Sequence, residues 1–181
     1  MTFKTPDLCD QFEADLGASV RVVAPMFKRY GGRAAFSGRI VTLKLFEDNS
    51  LVREVLAEDG RDKVLVIDGG GSMRCALVGD QLAILAHRNA WEGIVVYGCI
   101  RDSAYAKKLG LGLWIRGATP NFHAQTDIFP FGVNVPVACG GTFVMPGDII
   151  VADDDGAVCV PIASSSWISS AMRRRMPGSM P

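Results

Sequence analysis

Two uninterrupted apolar runs in the middle of the chain constrain its fold more than any other feature. Residues 64–67 (VLVI) lead into Asp68 and three glycines, and residues 94–97 (IVVY) lead into Gly98. A strand with one face in water alternates apolar and polar residues, whereas a strand covered on both faces has no need to alternate. The two runs therefore predict interior strands of a parallel sheet, connected by crossover helices.

The rest of the chain predicts short helices and strands within one α/β domain, without an internal repeat or a linker. Thr5-Pro6-Asp7 predicts a helix start, with the threonine hydroxyl as N-cap and the proline in the first turn. We expect the domain to span residues 1–163, followed by a C-terminal helix and a frayed tail over 164–181. The predicted helices cover 5–16, 48–57, 80–91, a short segment after 102, and 164–175. The predicted strands cover 20–23, 36–46, 64–67, 76–78, 94–97, 113–115, 133–137, 142–144, 149–152 and 158–160, the last two forming a hairpin around 153–156.

Composition excludes several classes of protein. Of the 181 residues 49% are hydrophobic, which is enough to build a core and excludes a disordered chain. The 19 basic residues are balanced by 19 acidic ones, whereas direct nucleic-acid binding normally needs a basic excess. Five scattered cysteines without a C-x-x-C pair favour a reduced, cytoplasmic setting over a disulfide framework or a zinc site. We therefore expect neither a signal peptide nor a membrane span in this sequence.

One crossover unit collects residues that suit a small carboxylate ligand. If residues 76–78 and 94–97 are parallel neighbours, Gly79-Asp80 and Arg101-Asp102 lie at the carboxyl ends of adjacent strands, where open α/β sheets bind ligands. Arg101 offers a planar fork for a carboxylate. Asp102 is a hard oxygen ligand of the kind that Mg²⁺ or Mn²⁺ takes, and Asp80 could orient a water. The first-turn N–H groups that can hold an anion belong to Gly79, Asp80, Gln81 and Leu82.

The same residues also have a purely structural explanation. Asp80 would then be only a helix N-cap, and Arg101-Asp102 only a solvated pair in a loop. Spacing alone leaves both explanations open.

Several short motifs occur together over nearly the whole chain. They are residues 7–10 (DLCD), 30–34 (YGGRA), 46–49 (FEDN), 66–71 (VIDGGG), 76–80 (ALVGD), 91–98 (WEGIVVYG), and 147–148 (GD) followed by 153–156 (DDDG). In this combination the sequence resembles the RraA-like family over residues 5–162. That family contains the regulator of ribonuclease activity A and the 4-hydroxy-4-methyl-2-oxoglutarate aldolases.

The resemblance implies a specific site. The aldolase branch has an Asp followed, after twenty residues, by Arg-Asp, and Asp80 with Arg101-Asp102 matches this spacing. By resemblance, Arg101 and the amides of Gly79 to Leu82 hold the pyruvyl carboxylate. Asp102 binds the divalent metal, Mg²⁺ or Mn²⁺, and Asp80 positions a metal-bound water.

The resemblance also implies a fold and an assembly. The implied fold is a three-layer swivelling α/β domain, assembled as trimers or hexamers with the site near a subunit boundary. In the aldolases a carboxylate from the C-terminal extension of a neighbouring subunit helps at the metal. The tail over 164–181 contains no Asp or Glu here.

The implied activity is that of a metal-dependent (class II) pyruvate aldolase. Oxaloacetate decarboxylation passes through the same pyruvate enolate and is an expected second activity. The alternative is a non-catalytic regulator that binds and inhibits ribonuclease E. Regulator members often depart from the Asp and Arg-Asp motif, which this chain keeps. The expected partners are a small 2-oxo acid and other copies of the chain, with neither a membrane nor nucleic acid bound directly.

Five other features favour structural roles. His87 is expected on the solvent side of its helix, and His123 in a loop that could line the mouth of the site. The glycines 69–71 lack the Lys-Ser/Thr of a P-loop and predict a turn beside the pocket. Residues 153–155 (DDD) predict an exposed hairpin turn, and 173–175 (RRR) suit the negative end of a helix dipole.

Overall fold

The computed structural model describes residues 4–17, 19–121 and 132–164. Its helices are α1 Thr5–Gln11, α2 Ser50–Leu56, α3 Asp80–Arg88 and α4 Ser103–Ala106, with 3₁₀ turns at Glu13–Asp15 and Ile162–Ser164. Its strands are β1 Arg21–Val23, β2 Lys28–Arg29, β3 Phe36–Lys44, β4 Lys63–Asp68, β5 Ala76–Val78, β6 Gly93–Ile100, β7 Gly112–Ala118, β8 Gly132–Val133, β9 Val137–Cys139, β10 Thr142–Val144, β11 Ile149–Ala152 and β12 Ala157–Val160. Among the described helices, none is long and apolar enough to cross a membrane.

A ten-stranded mixed sheet organises the described part of the domain, and β9 and β10 form a separate two-stranded sheet. The strands of the larger sheet run in the order β1-β12-β11-β3-β4-β6-β7-β2, with β5 paired to β6 and β8 paired to β3. The central strands β3, β4, β6 and β7 are parallel, as the apolar runs predict. The strands at both ends pair in an antiparallel manner. The carboxyl ends of the parallel strands therefore share one edge of the sheet.

The apolar runs are buried because each strand supplies two separate cores. In β4, Leu65 and Ile67 pack into a cluster with the apolar faces of α2 and α3. The alternate residues Val64 and Val66 pack on the other face, in a cluster with residues of β9 and β10. All four side chains are fully buried. The prediction that this run is covered on both faces is confirmed.

The N-terminal helix differs from its prediction in both its end and its cap. α1 ends at Gln11, and residues up to Asp15 form a 3₁₀ turn instead of continuing to residue 16. The N-cap residue is Lys4, which makes no side-chain cap hydrogen bond. The Thr5 hydroxyl donates to Asp153 at 2.6 Å, and the Thr5 amide donates to the same carboxylate at 2.7 Å. The threonine therefore connects the helix to the β11–β12 turn.

A second difference concerns the predicted strand over 133–137. Two strands, β8 and β9, occupy this region with a break between them. Asn134 has a left-handed backbone (φ 56°) and Pro136 has no amide hydrogen to donate to a ladder. The Asn134 amide instead donates to the Thr42 carbonyl, which lets β8 pair with β3 while β9 pairs with β10.

The remaining predicted elements lie close to their expected positions. The hairpin of β11 and β12 is antiparallel, with Ala152 opposite Ala157. The helix predicted over 80–91 ends at Arg88, and the strand predicted over 36–46 ends at Lys44. His123 and the predicted helix over 164–175, except its first residue, lie outside the described residues.

Candidate active site

The crossover predicted between β5 and β6 is present. These strands are parallel neighbours, with Ala76 opposite Cys99 and Val78 opposite Ile100. The Arg101 amide continues the ladder by donating to the Val78 carbonyl at 3.0 Å. The chain leaves β5 at Gly79 and leaves β6 at Arg101, so two segments that are 22 residues apart in sequence meet at the carboxyl edge.

Gly79, Arg101 and Asp102 form a three-residue cluster at this edge. A Cβ atom placed on Gly79 would lie 3.3 Å from Oδ2 of Asp102 and 3.4 Å from Nε of Arg101. The Arg101 Nε and Asp102 Oδ2 atoms are themselves 3.4 Å apart and form an ion pair. The two side chains expose 39% and 46% of their surface, so a solute can reach both. The missing side chain of Gly79 leaves room directly beside them.

The backbone of Asp102 fixes where its carboxylate can go. The residue has a left-handed conformation (φ 56°, ψ 31°), which Asp tolerates better than most non-glycine residues. It is the N-cap of α4, and its carbonyl accepts from the amides of Tyr105 and Ala106. The carboxylate makes no cap hydrogen bond to α4 and pairs with Arg101 instead. A good capping group is thus directed at the neighbouring guanidinium.

The first turn of α3 presents its amides beside the same cluster. Gly79 is the N-cap, and Asp80 is the first helical residue, so the explanation of Asp80 as the N-cap residue is wrong. The Gln81 amide donates to Oδ1 of Asp80 at 2.7 Å, and the Gln81 side-chain amide reaches Oδ2 at 3.4 Å. The Ala83 amide starts the regular helix by donating to the Gly79 carbonyl. The amides of Gly79, Asp80, Gln81 and Leu82 all precede this first helical bond.

A surface cleft of about 370 Å³ opens next to the cluster. Arg101 and Asp102 are its charged lining residues, and Ser103 and Thr119 add two hydroxyl groups. The full lining is Ile100, Arg101, Asp102, Ser103, Ala118, Thr119 and Pro120. A cleft of this size and composition suits a small acid that carries one anionic group next to the guanidinium.

The oxygen donors of this cluster fit Mg²⁺ or Mn²⁺ in kind. Mg²⁺ retains several waters and is commonly held by one or two carboxylates together with substrate oxygens. The exposed carboxylate of Asp102 can serve as such a ligand. Across the described stretches 4–17, 19–121 and 132–164, no three His, Cys, Asp or Glu side chains lie together as a metal-binding group. A metal ion at Asp102 would therefore have fewer than three such side chains as ligands among the described residues.

The glycines 69–71 form a turn, as expected, and all three amides are used internally. The Gly69 and Gly71 amides both donate to the Tyr97 carbonyl, at 3.1 and 3.0 Å. The Gly70 amide donates to Oδ1 of Asp68 at 2.9 Å. Gly70 and Gly71 have φ values of 66° and 68°, which favour glycine. This turn holds β4 against β6 and does not offer its amides as a phosphate cradle.

Sequence reasoning missed the wall of the cleft formed by the end of β7. Ala118 lies opposite Ile100, and the Thr119 amide donates to the Ile100 carbonyl at 3.0 Å. Asn121 then crosses to β5, where its carbonyl accepts from the Ala76 amide at 3.0 Å. The signal was present in the strand pattern, because β7 follows the next crossover and must end at the same edge. His87, by contrast, is exposed near the end of α3, as predicted.

The fold and this cluster define an α/β domain with a cleft, lined by Arg101 and Asp102, at the carboxyl edge of the parallel strands of a mixed sheet. A family model described as RraA-like, aldolase/RraA, matches residues 5–159. The chain belongs to the RraA-like family.

Individual relatives carry different functional names. A Dechloromonas aromatica (strain RCB) protein provisionally named 4-hydroxy-4-methyl-2-oxoglutarate aldolase is 62% identical over 87% of this chain and 96% of its own length. The solved structure of the RNA-processing inhibitor RraA from Thermus thermophilis is 41% identical, covers 89% of this chain and 94% of its own, and has a TM-score of 0.82. A Geobacillus kaustophilus HTA426 structure described as S-adenosylmethionine:2-dimethylmenaquinone methyltransferase is 40% identical, covers 88% and 95%, and has a TM-score of 0.81.

Proposed function

We propose that this protein is a divalent-metal-dependent lyase. Its substrates are 4-hydroxy-4-methyl-2-oxoglutarate and similar acids, which it cleaves to pyruvate, and it decarboxylates oxaloacetate as a second activity. The observation that carries the proposal is the meeting of Gly79, Arg101 and Asp102 at one sheet edge, within 3.3 to 3.4 Å of the position of a Gly79 Cβ. The provisional name of the 62% identical relative supports the cleavage of 4-hydroxy-4-methyl-2-oxoglutarate.

Arg101 and the start of α3 bind the end of the substrate that is common to all these acids. The guanidinium holds the pyruvyl carboxylate by a two-pronged contact. Within the first turn Gly79 to Leu82, the amides of Gly79, Asp80 and Leu82 add donors aligned with the helix dipole, while the Gln81 amide is held by Oδ1 of Asp80. Because Asp102 lies beside Arg101, a group held by the Asp102 carboxylate would lie close to the 2-oxo group of the bound acid. The substrate is thus bound at its 2-oxo acid end.

Proton movement is assigned to Asp80 and a water. Cleavage of 4-hydroxy-4-methyl-2-oxoglutarate removes the proton of the C4 hydroxyl and breaks the bond between C3 and C4. One pyruvate leaves, and the enolate of a second takes a proton at C3. Asp80 holds the water that accepts the first proton and returns one to C3, which accounts for both proton transfers without a histidine or a lysine.

Asp102 would hold the divalent metal ion. When bound there, Mg²⁺ or Mn²⁺ supplies electrostatic stabilisation for the negative charge that develops on the enolate oxygen. Oxaloacetate decarboxylation produces the same enolate, with carbon dioxide as the leaving group and a proton taken from water. This shared enolate is the reason to expect both activities at one site.

Assembly as a trimer or hexamer and action in the cytoplasm are parts of the same proposal. A neighbouring copy could add ligands at the cleft, although the tail over 164–181 has no carboxylate side chain to contribute. The second candidate function is that of a regulator that binds ribonuclease E. It is favoured by the 41% identity to the RNA-processing inhibitor from Thermus thermophilis.

One assay tests the proposal directly. Pyruvate release from 4-hydroxy-4-methyl-2-oxoglutarate and from oxaloacetate is followed with lactate dehydrogenase, with Mg²⁺ and after removal of metals with EDTA. We expect release with Mg²⁺ or Mn²⁺, loss after chelation, and recovery when the metal is added back. Full activity after exhaustive chelation would contradict the metal requirement. Inactivity on every 2-oxo acid tested, together with binding to ribonuclease E, would favour the regulator.

A further inference from the structure

We propose that the ion pair between Arg101 and Asp102 couples metal binding to substrate binding, so that each ligand raises the affinity for the other. This inference rests on the proposed function, because it assigns the substrate carboxylate to Arg101 and the metal ion to Asp102. Its starting point is the 3.4 Å separation of Arg101 Nε and Asp102 Oδ2, in two side chains that remain 39% and 46% exposed.

Each residue of the pair is the present partner of the other. A cation that binds the Asp102 carboxylate must separate this carboxylate from the Arg101 guanidinium. A substrate carboxylate that binds the guanidinium must separate the same two groups. The first ligand therefore breaks the ion pair, and the second ligand does not have to break it again. Such a shared cost produces positive coupling, which must be equal in both directions at equilibrium.

The backbone around the pair is fixed, so the opening involves only side chains. The Arg101 amide is bonded to the Val78 carbonyl, and the Asp102 carbonyl accepts from two amides of α4. Gly79 presents no side chain on the adjacent side, which leaves space for the two side chains to separate. The coupling therefore needs no movement of strands or helices.

The size of the coupling follows from the exposure of the pair. Breaking an exposed ion pair changes the equilibrium constant of the process that breaks it by about two- to five-fold, and salt weakens such pairs. We expect the apparent Kd for Mn²⁺ to fall by about two- to five-fold when Arg101 is occupied.

A test needs a probe that binds Arg101 without binding the metal through an oxo group. Propionate has the carbon skeleton and carboxylate of pyruvate but lacks the 2-oxo oxygen, so it cannot chelate in the same way. Free Mn²⁺ is measured by electron paramagnetic resonance during titration of the full-length protein, with propionate or with sodium chloride at equal ionic strength. This readout does not depend on turnover.

Two variants separate the ion pair from general charge effects. Arg101→Gln removes the partner of Asp102, and Lys107→Gln removes an exposed positive charge at the C-cap of the same short helix, α4. We expect Arg101→Gln to bind Mn²⁺ about two- to five-fold more tightly than the wild type, with no further effect of propionate. Lys107→Gln should match the wild type, including its response to propionate.

The outcomes are distinct from those of the activity assay. If the wild type releases pyruvate but propionate leaves the Mn²⁺ affinity unchanged or weakens it, the coupling is wrong and the proposed function stands. Equal tightening by Arg101→Gln and Lys107→Gln would likewise overturn the coupling, because it would show only a general charge effect. If the wild type neither binds Mn²⁺ nor releases pyruvate, the proposed function fails and the coupling fails with it.

Discussion

The substitution Gly79→Ala, at the carboxyl edge of the sheet, should lower the activity of the protein while changing its stability little. The added Cβ would lie 3.3 Å from Asp102 Oδ2, 3.4 Å from Arg101 Nε and 3.5 Å from Arg101 Cγ. The contact with Asp102 is slightly too close, whereas those with Arg101 begin at the limit of ordinary van der Waals contact, so the Asp102 side chain must shift by a few tenths of an ångström. A misplacement of 1 Å at a reacting centre can cost about 100-fold in rate, so a shift of this size predicts about a three- to five-fold loss in kcat/KM.

The stability of this variant should change little, because two opposite terms are of similar size. Gly79 has an extended backbone (φ −133°, ψ −171°) that alanine adopts without strain, which contributes about 0.4–1 kcal/mol through the unfolded state. Alanine is a poorer N-cap than glycine, which costs about 0.5–1 kcal/mol. We therefore expect the Tm to stay within about 2 °C of the wild type.

Gly156→Ala is the matched control. A Cβ at Gly156 would meet no atom within 4 Å, and the residue caps no helix. This variant should keep full activity. Pyruvate release under saturating Mg²⁺ and a thermal melt, measured on both variants and the wild type, decide the matter. If Gly79→Ala kept wild-type kcat/KM, the space beside Arg101 and Asp102 would not be part of the site. A large loss of Tm would instead show that the activity loss reports unfolding.

Three further variants test other parts of the structure. Arg101→Lys keeps the charge but loses the two-pronged contact, so kcat/KM should fall by about ten- to a hundred-fold, and near-normal kinetics would show that Arg101 does not hold the substrate. Asp102→Asn should remain folded, because Asn also tolerates the left-handed backbone. It should lose Mn²⁺ binding and oxaloacetate decarboxylation, and retained activity would exclude Asp102 as the metal ligand. Asp153→Ala should lower the Tm at pH 7 through the loss of about 1 kcal/mol of hydrogen bonding. Burial alone would raise the pKa of Asp153, but hydrogen bonds from Thr5, and from the turn that follows Asp153, outweigh it and lower the pKa. The stabilisation is therefore present above about pH 4 and lost on acidification, so melts of Asp153→Ala and the wild type should converge at low pH; a constant difference would contradict the assignment.

The sequence predicts the interior of the sheet well because its signal is local and strong. Residues 64–67 are all apolar, and this is possible only where both faces of a strand are covered, as they are for β4. The region over 133–137 was predicted less well because two residues interrupt an otherwise strand-like pattern. Pro136 and the left-handed Asn134 split it into two strands that join different partners.

The site could be predicted in position but not in detail. The crossover from β5 to β6 places position 79 beside position 101, since parallel neighbours end at one edge. The left-handed backbone of Asp102 and its ion pair with Arg101 depend on how α4 begins, which no pattern in the sequence specifies. The wall at Thr119 depends on β7 lying next to β6, which is a property of strand order. The sheet edge at which each segment ends was therefore accessible from the sequence, whereas the side-chain geometry and the order of the strands were not.

Carboxylates at the helix N-termini show which contacts can be predicted from the sequence and which cannot. In α2 the Ser50 amide donates to Oδ1 of Asp48, and in α3 the Gln81 amide donates to Oδ1 of Asp80. Both partners lie within two residues of the amide, so sequence alone can propose them. In α1 the Thr5 amide donates to Asp153, which is 148 residues away and reaches it only because α1 packs against β12. In all three helices a first-turn amide thus donates to a carboxylate. The partner can be predicted from the sequence only where that carboxylate is a close neighbour in the chain.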